Sequence, residues 1–259
     1  MSDYRPPSFS MFPPVVKNLL IANGLFFIAT WVLSNTYNID LNNILGLHYF
    51  ASSAFKPYQL VTYMFMHGGI MHILFNMFAL WMFGNALENF WGAKRFLVFY
   101  FVCGIGAGIT QEVVQYFYLH HIEQVIHIFS NAPNQSDFDT IISKYLPYGD
   151  VNSNVTSTNA AQFLLERYQQ LVNSFVTIGA SGAIFGILLA FGMLFPNTLL
   201  YVYFAIPVKA KYFVIIYGLM ELFFAVSNKP GDDVAHYAHL GGMLFGFFLI
   251  LYWRRKRRI

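Results

Sequence analysis

The chain has 259 residues, 57% of them hydrophobic and only 10% charged, with a formal net charge of +3 and a mean hydropathy of +0.50. Charge this scarce cannot clothe a soluble surface, which excludes an ordinary globular enzyme and points to an all-α integral membrane protein. A single cysteine, Cys103, excludes an internal disulfide and a thiolate metal cluster, and reads as a small buried apolar side chain.

Residues 1–14 form an N-terminal tail with Pro6, Pro7, Pro13 and Pro14. It lacks the basic, apolar and small-residue order of a secretory signal, so no removable signal is expected. Six apolar runs follow, at approximately 15–34, 68–90, 96–118, 178–196, 204–226 and 236–253, each near the ~20 residues a helix needs to cross a hydrocarbon core. Residues 15–253 therefore read as one six-helix membrane domain, with no internal repeat and no separate soluble domain. The longest connection, about 119–177, is rich in Asn, Gln, Ser and Tyr. Within it Phe163, Leu164, Tyr168, Leu171, Val172 and Phe175 recur at helical spacing, which predicts an amphipathic helix over 160–175 lying at the membrane interface. Lys229-Pro230-Gly231-Asp232-Asp233, between the fifth and sixth runs, reads as a mobile cap over a substrate path, and 254–259 as a basic tail.

Lysine and arginine set the orientation, because short cytoplasmic loops are enriched in them. Arg5, Lys17, Lys94, Arg95, Lys209, Lys211 and the cluster from Arg254 to Arg258 all fall on one side of a six-span chain. Lys56, Lys144, Arg167 and Lys229 fall on the other. Both termini are thus expected in the cytoplasm, with the connection at 119–177 outside. The terminal basic cluster reads as an anchor to anionic lipid and not as a nucleic-acid site. A chain of this kind is by default assigned to a bacterial plasma membrane.

In that topology the second, fourth and sixth spans begin at the same outer level, and each carries polar groups there. The second has His67, His72 and Asn76, with His72 and Asn76 on one helix face about 6 Å apart along the axis. The fourth opens with Gly179-Ala180-Ser181-Gly182, and the sixth carries Ala238-His239. Polar groups are costly in lipid and gather toward a bundle interior or a wet cavity. Ser181 attacks a carbonyl only if a neighbouring base takes its proton, and His239 is that base. The amide of Asn76, a ring N–H of His72 and the backbone N–H of Ser181 are candidate donors to the resulting oxyanion. Gly179 and Gly182 let substrate backbone approach the nucleophile. Gly242 and Gly246 lie on the face of His239 and let the sixth span close on the fourth. Phe185, one turn after Ser181, is placed to stack on the imidazole. No acidic residue is evident as a third member, so a Ser–His dyad is expected, needing no metal or other cofactor.

The strings His67-Gly-Gly-Ile-Met-His72-Ile-Leu-Phe-Asn76, Gly-Ala-Ser181-Gly and Ala-His239-Leu-Gly-Gly242-Met-Leu-Phe-Gly246, in that order and on those helices, resemble the rhomboid family of intramembrane serine proteases. The resemblance spans roughly 15–253. It implies a six-helix rhomboid-like bundle, cleavage of transmembrane protein substrates within the bilayer, Ser181 as nucleophile, His239 as base, and His72 with Asn76 at the oxyanion. Glu88 resembles a family position that hydrogen-bonds structurally. Two departures stand out: Tyr58-Gln59 where many rhomboids carry Trp-Arg, and Phe185 where many carry Tyr.

Two other readings compete. A catalytically inactive rhomboid relative would bind membrane helices without cutting them, but such relatives typically lack the serine or the histidine. Histidine spacing at His67, His72, His120, His121, His236 and His239 superficially suggests a di-iron membrane oxidoreductase, yet no doubled His-x-x-His-His box occurs. The remaining histidines, His48 and His127, read as interfacial or loop residues, and His236 as a marker of the helix entrance.

Overall fold

The computed structural model describes residues 10–146, 159–202, 205–227 and 234–256. The cap expected at 229–233, Arg5, Pro6 and Pro7 of the N-terminal tail, and Arg257 and Arg258 lie outside the described residues. Within them the chain is mainly helical. The helices are α1 (Pro14–Tyr37), α2 (Leu41–Leu45), α3 (Gln59–Thr62), α4 (Ile70–Ala79), α5 (Asn85–Trp91), α6 (Ala93–Asn131), α7 (Gln135–Tyr145), α8 (Ala160–Ser174), α9 (Ser181–Leu194), α10 (Ala210–Ser227) and α11 (His236–Arg255). Two compact units are built from them: Met1–Leu47 with Tyr58–Gln111 and Thr177–Ile259, and His48–Pro57 with Glu112–Val176.

Among the described residues four helical stretches are long and apolar enough to cross a membrane: Pro14–Tyr37, Ile70–Trp91, Ala93–Asn131 and Ala210–Ser227. The second joins α4 to α5 through a π-helical turn at Leu80–Gly84. Such wide turns rotate the residues that follow without ending the helix. Glu88 on α5 accepts the backbone N–H groups of Val15 (2.9 Å) and Val16 (2.7 Å), so its carboxylate caps the N-terminus of α1 behind Pro14. Asn85 and Asn89 fasten the preceding segment through Met11 and Ser10.

The first unit is organised around α9. Ten of its fourteen residues are buried, as expected of a helix that is apolar all round. Packing against α11 is at backbone level: a Cβ on Gly242 would fall on the carbonyl of Gly182, and one on Gly186 would lie 2.9 Å from the carbonyl of Gly242. A Cβ on Gly246 would lie 3.4 Å from Gly186 Cα. Each helix therefore presents a small-x-x-x-small stripe to the other. Cys103 and Ala107 of α6 close the same seam, meeting Gly186 and Gly182.

Two expectations change. The fifth run does not begin as helix: Leu199–Val202 pairs antiparallel with Ile206–Lys209, Leu199 opposite Lys209, and α10 starts only at Ala210. Pro207 within this stretch lacks the N–H a helix interior needs. The connection expected at 119–177 is also more ordered than a loop. α6 continues to Asn131 because Leu119, Ile122, Ile126 and Phe129 keep its apolar spacing, and these meet Phe138 and Ile141 of α7. The helix predicted over 160–175 forms as α8, but its stripe of Leu164, Tyr168 and Val172 is buried in this second core, not laid in lipid. Phe50 N–H donates to Glu112 (2.8 Å) and Ser52 Oγ donates to Asn173 (2.8 Å) in the same unit.

Gly242→Ala is expected to lower stability by about 3 kcal/mol or more, since overpacking here meets backbone and not a flexible side chain. Gly24→Ala on α1, where an added Cβ meets nothing within 4 Å, is expected to be neutral or slightly stabilising. Thermal unfolding of both variants in detergent micelles checks the contrast.

Candidate active site

Ser181 is the first residue of α9, so its backbone N–H and those of Gly182 and Ala183 have no partner inside the helix. They form a positive end suited to a developing negative charge. The turn before it is held by Gly179, whose N–H donates to the Tyr63 carbonyl at 2.9 Å. Gly179 has φ +125°, a conformation that side chains rarely adopt, and a Cβ there would lie 2.8 Å from His72 Nε2 and 3.6 Å from Ser181 Oγ. The residue is thus glycine for two reasons, backbone shape and the closeness of His72.

His239 lies in the first turn of α11, and its Nε2 is 2.8 Å from Ser181 Oγ. Its ring is parallel to Phe185, centroids 4.1 Å apart at 10°, and Phe185 is in turn stacked on Tyr217 of α10 at 5.3 Å and 2°. One face of the imidazole is therefore fixed by an aromatic column.

On α4, His72 Nδ1 accepts the N–H of Gly68 at 3.3 Å, which leaves Nε2 to carry the ring hydrogen toward Gly179 and the nucleophile. His67 meets His72 edge to face at 5.0 Å. Asn76, one turn on, is buried, and its side-chain Nδ2 has no protein acceptor. A buried amide donor left open is costly unless something arrives to take it. α4 packs against α9, so these donors and Ser181 belong to one region of the unit.

Sequence reasoning missed Glu221. On α10, eighteen residues before His239, its Oε2 lies 2.8 Å from His239 Nδ1 and 2.6 Å from His236 Nδ1. The expectation that no carboxylate stands beside His239 is therefore corrected, and His236, read as marking the helix entrance, instead faces this carboxylate. The signal was present: an ionisable residue inside an apolar span marks a functional site by default. Glu221, His236 and His239 also have ligand atoms within 4.8 Å of one another. They are a three-ligand set of the kind zinc uses, but both Nδ1 atoms are already engaged on the carboxylate oxygen and His239 Nε2 on Ser181. Among the described residues no other group of three has such spacing, so the histidines of the di-iron reading do not gather.

A family profile described as the Rhomboid domain matches residues 54–122 and 151–256. The chain belongs to the rhomboid family. The unmatched stretch between those segments holds the end of α6 and all of α7. Among curated relatives, an uncharacterised mitochondrial rhomboid protein of Schizosaccharomyces pombe is 26% identical over 255 residues, covering 91% of this rhomboid and 64% of the relative. The rhomboid protease GluP of Bacillus subtilis is 28% identical over 197 residues, 74% of this chain and 25% of its own. A mitochondrial rhomboid-like protein of Arabidopsis thaliana is 28% identical over 247 residues, 94% and 59% respectively. The chain thus spans less than two thirds of the length of each. Family and apolar helices together make it a multi-pass membrane protein. With two relatives named mitochondrial and one from a bacterium, the default assignment to a bacterial plasma membrane gains no support.

Gly179→Ala is expected to slow reaction of Ser181 with a fluorophosphonate by at least ~10-fold, the strain of a disallowed φ being of order 1–3 kcal/mol. Labelling rates of folded wild type and variant in lipid vesicles measure it.

Proposed function

We propose that this rhomboid is an intramembrane serine endopeptidase that hydrolyses peptide bonds in or beside the transmembrane helices of membrane proteins. The observation that carries the reading is the 2.8 Å hydrogen bond between Ser181 Oγ and His239 Nε2, at the N-terminus of a buried helix. The name of the Bacillus relative, a rhomboid protease, agrees with it. We further infer a bundle of six spans with both termini cytoplasmic, α9 and α11 supplying the two spans beyond the four long apolar stretches.

In the proposed reaction the Ser181 hydroxyl gives its proton to His239 Nε2 as Oγ bonds to the scissile carbonyl carbon. The carbonyl oxygen becomes an oxyanion, received by His72 Nε2–H, Asn76 Nδ2–H and the N–H of Ser181. His239 then passes the proton to the departing amine, and the carbon–nitrogen bond breaks. Water, deprotonated by the same imidazole, releases the acyl group and restores Ser181. Gly179, Gly182, Gly242 and Gly246 give the close approaches this requires, and Phe185 holds the plane of the imidazole. A helical peptide bond is shielded by its own backbone hydrogen bonds, so suitable substrates unwind readily near the cut.

The test reconstitutes the protein in lipid vesicles with a tagged single-span substrate bearing a helix breaker near its outer end. A fragment is expected from wild type and from neither Ser181→Ala nor His239→Ala; equal cleavage by Ser181→Ala removes the nucleophile. Asn76→Ala is expected to cost ~10²–10³ in rate, as loss of an oxyanion donor does elsewhere, and wild-type activity in it removes that role. A histidine acts as a general base only when it is neutral, so cleavage is expected to fall in acid, and a flat profile down to about pH 5 removes histidine as the base.

A further inference from the structure

Glu221 and His236 have no part in a Ser–His dyad, yet they occupy its far edge. We propose that Glu221 is a third member of the array, a positioning carboxylate that fixes the tautomer and orientation of His239, with His236 as the second donor that holds the carboxylate in place. The inference rests on the Ser181–His239 reading.

The imidazole of His239 is engaged at both of its nitrogens. Its Nε2 is 2.8 Å from Ser181 Oγ and its Nδ1 is 2.8 Å from Glu221 Oε2. A carboxylate oxygen accepts, so Nδ1 carries the hydrogen, and Nε2 is left as the lone pair a general base needs. When the Ser181 proton moves to Nε2, the ring becomes an imidazolium whose Nδ1–H already points at a carboxylate. The proton stays on the ring and no transfer to Glu221 is needed.

Position argues the same way. Glu221 is the one carboxylate of α10, a helix whose neighbouring Leu219, Met220, Leu222 and Phe223 are exposed apolar side chains, while Glu221 itself is buried. A carboxylate on a membrane helix is expensive unless it is engaged inside the protein. Here both donors come from α11. His236 Nδ1 stands 2.6 Å from the same Oε2, its ring packed on Phe224 at 5.5 Å and edge-on to His239 at 89°. Two donors on one oxygen leave the carboxylate a single orientation.

The titratable groups facing it among the described residues are Tyr217, one turn earlier on α10, and His236 and His239 from α11. Across His239 stand Ser181 of α9 and His72 of α4.

The experiment follows fluorophosphonate labelling of Ser181 and substrate cleavage from about pH 5 to 9 in lipid vesicles. Labelling of wild type but not of Ser181→Ala is the condition for the Ser–His reading; its absence, or equal labelling in both, sinks that reading itself. Given labelled wild type, Glu221→Gln is expected to lower kcat about 10²-fold with little change in KM. That loss is smaller than the ~10⁴ of a soluble triad because Phe185 shares the orienting. Its acid limb should move to lower pH, since the imidazolium has lost its counter-ion, and Glu221→Asp should restore the limb and most of the rate. An unchanged rate, or a slower rate with the acid limb unmoved, overturns the inference, for a merely structural tie would leave the limb where it was. Should Glu221→Gln not fold, the ¹⁵N spectrum of histidine-labelled wild type, read against His239→Ala, decides without it. Hydrogen on Nδ1 of His239 is expected, and hydrogen on Nε2 overturns the inference.

Discussion

Two helix backbones in contact set the distances on which the rest of the first unit depends. Lipid tails are as apolar as leucine, so helices in a membrane gain little by burying leucine and must gain by close packing. α9 and α11 do so through Gly182, Gly186, Gly242 and Gly246, with α6 closing the seam through Cys103 and Ala107. Ser181 directly precedes the first of these glycines and His239 stands three residues before Gly242. A Cβ on Gly242 or Gly186 would meet the facing backbone and part the two helices, and with them the oxygen and nitrogen now 2.8 Å apart. Glycine thus acts at one remove from the chemistry, by making a hydrogen bond between neighbouring helices short enough to matter.

A second set of restraints acts on the imidazole itself. Phe185 fixes its plane, Ser181 meets one edge and Glu221 the other. Each comes from a different direction, and α10 supplies both the carboxylate and Tyr217, the next ring in the aromatic column. α10 is therefore tied to the site at two points while its opposite side is exposed and apolar.

Much of this was legible in the chain. Ser181, His239, His72 and Asn76 stand out because polar groups at one level of several apolar runs are costly, and Gly242 and Gly246 because their spacing puts them on the face of His239. Glu221 escaped because it sits mid-span, eighteen residues from its partner, where no short motif joins the two. Gly186 escaped because a glycine in an apolar helix is informative only once its neighbour is known. In the second unit the abundance of Asn, Gln and Ser masked the continuing stripe of Leu119, Ile122, Ile126 and Phe129, and the hairpin before α10 is set by pairing across a turn, which apolar run length does not register. The stripe of α8 was read correctly as a stripe, but whether lipid or protein covers it is decided by α6 and α7, far away in sequence.

The length of α9 carries a last consequence. Fourteen residues extend about 21 Å, against a hydrocarbon core of about 30 Å. With its C-terminal end at one boundary of that core, the helix begins about 9 Å short of the other, a gap of some six residues at ~1.5 Å each. The N–H groups of Ser181, Gly182 and Ala183, which have no partner inside the helix, demand polar company at that beginning. The turns that α9 lacks therefore set Ser181 below the level at which a full-length span would begin, so the serine is placed in depth by where its helix starts.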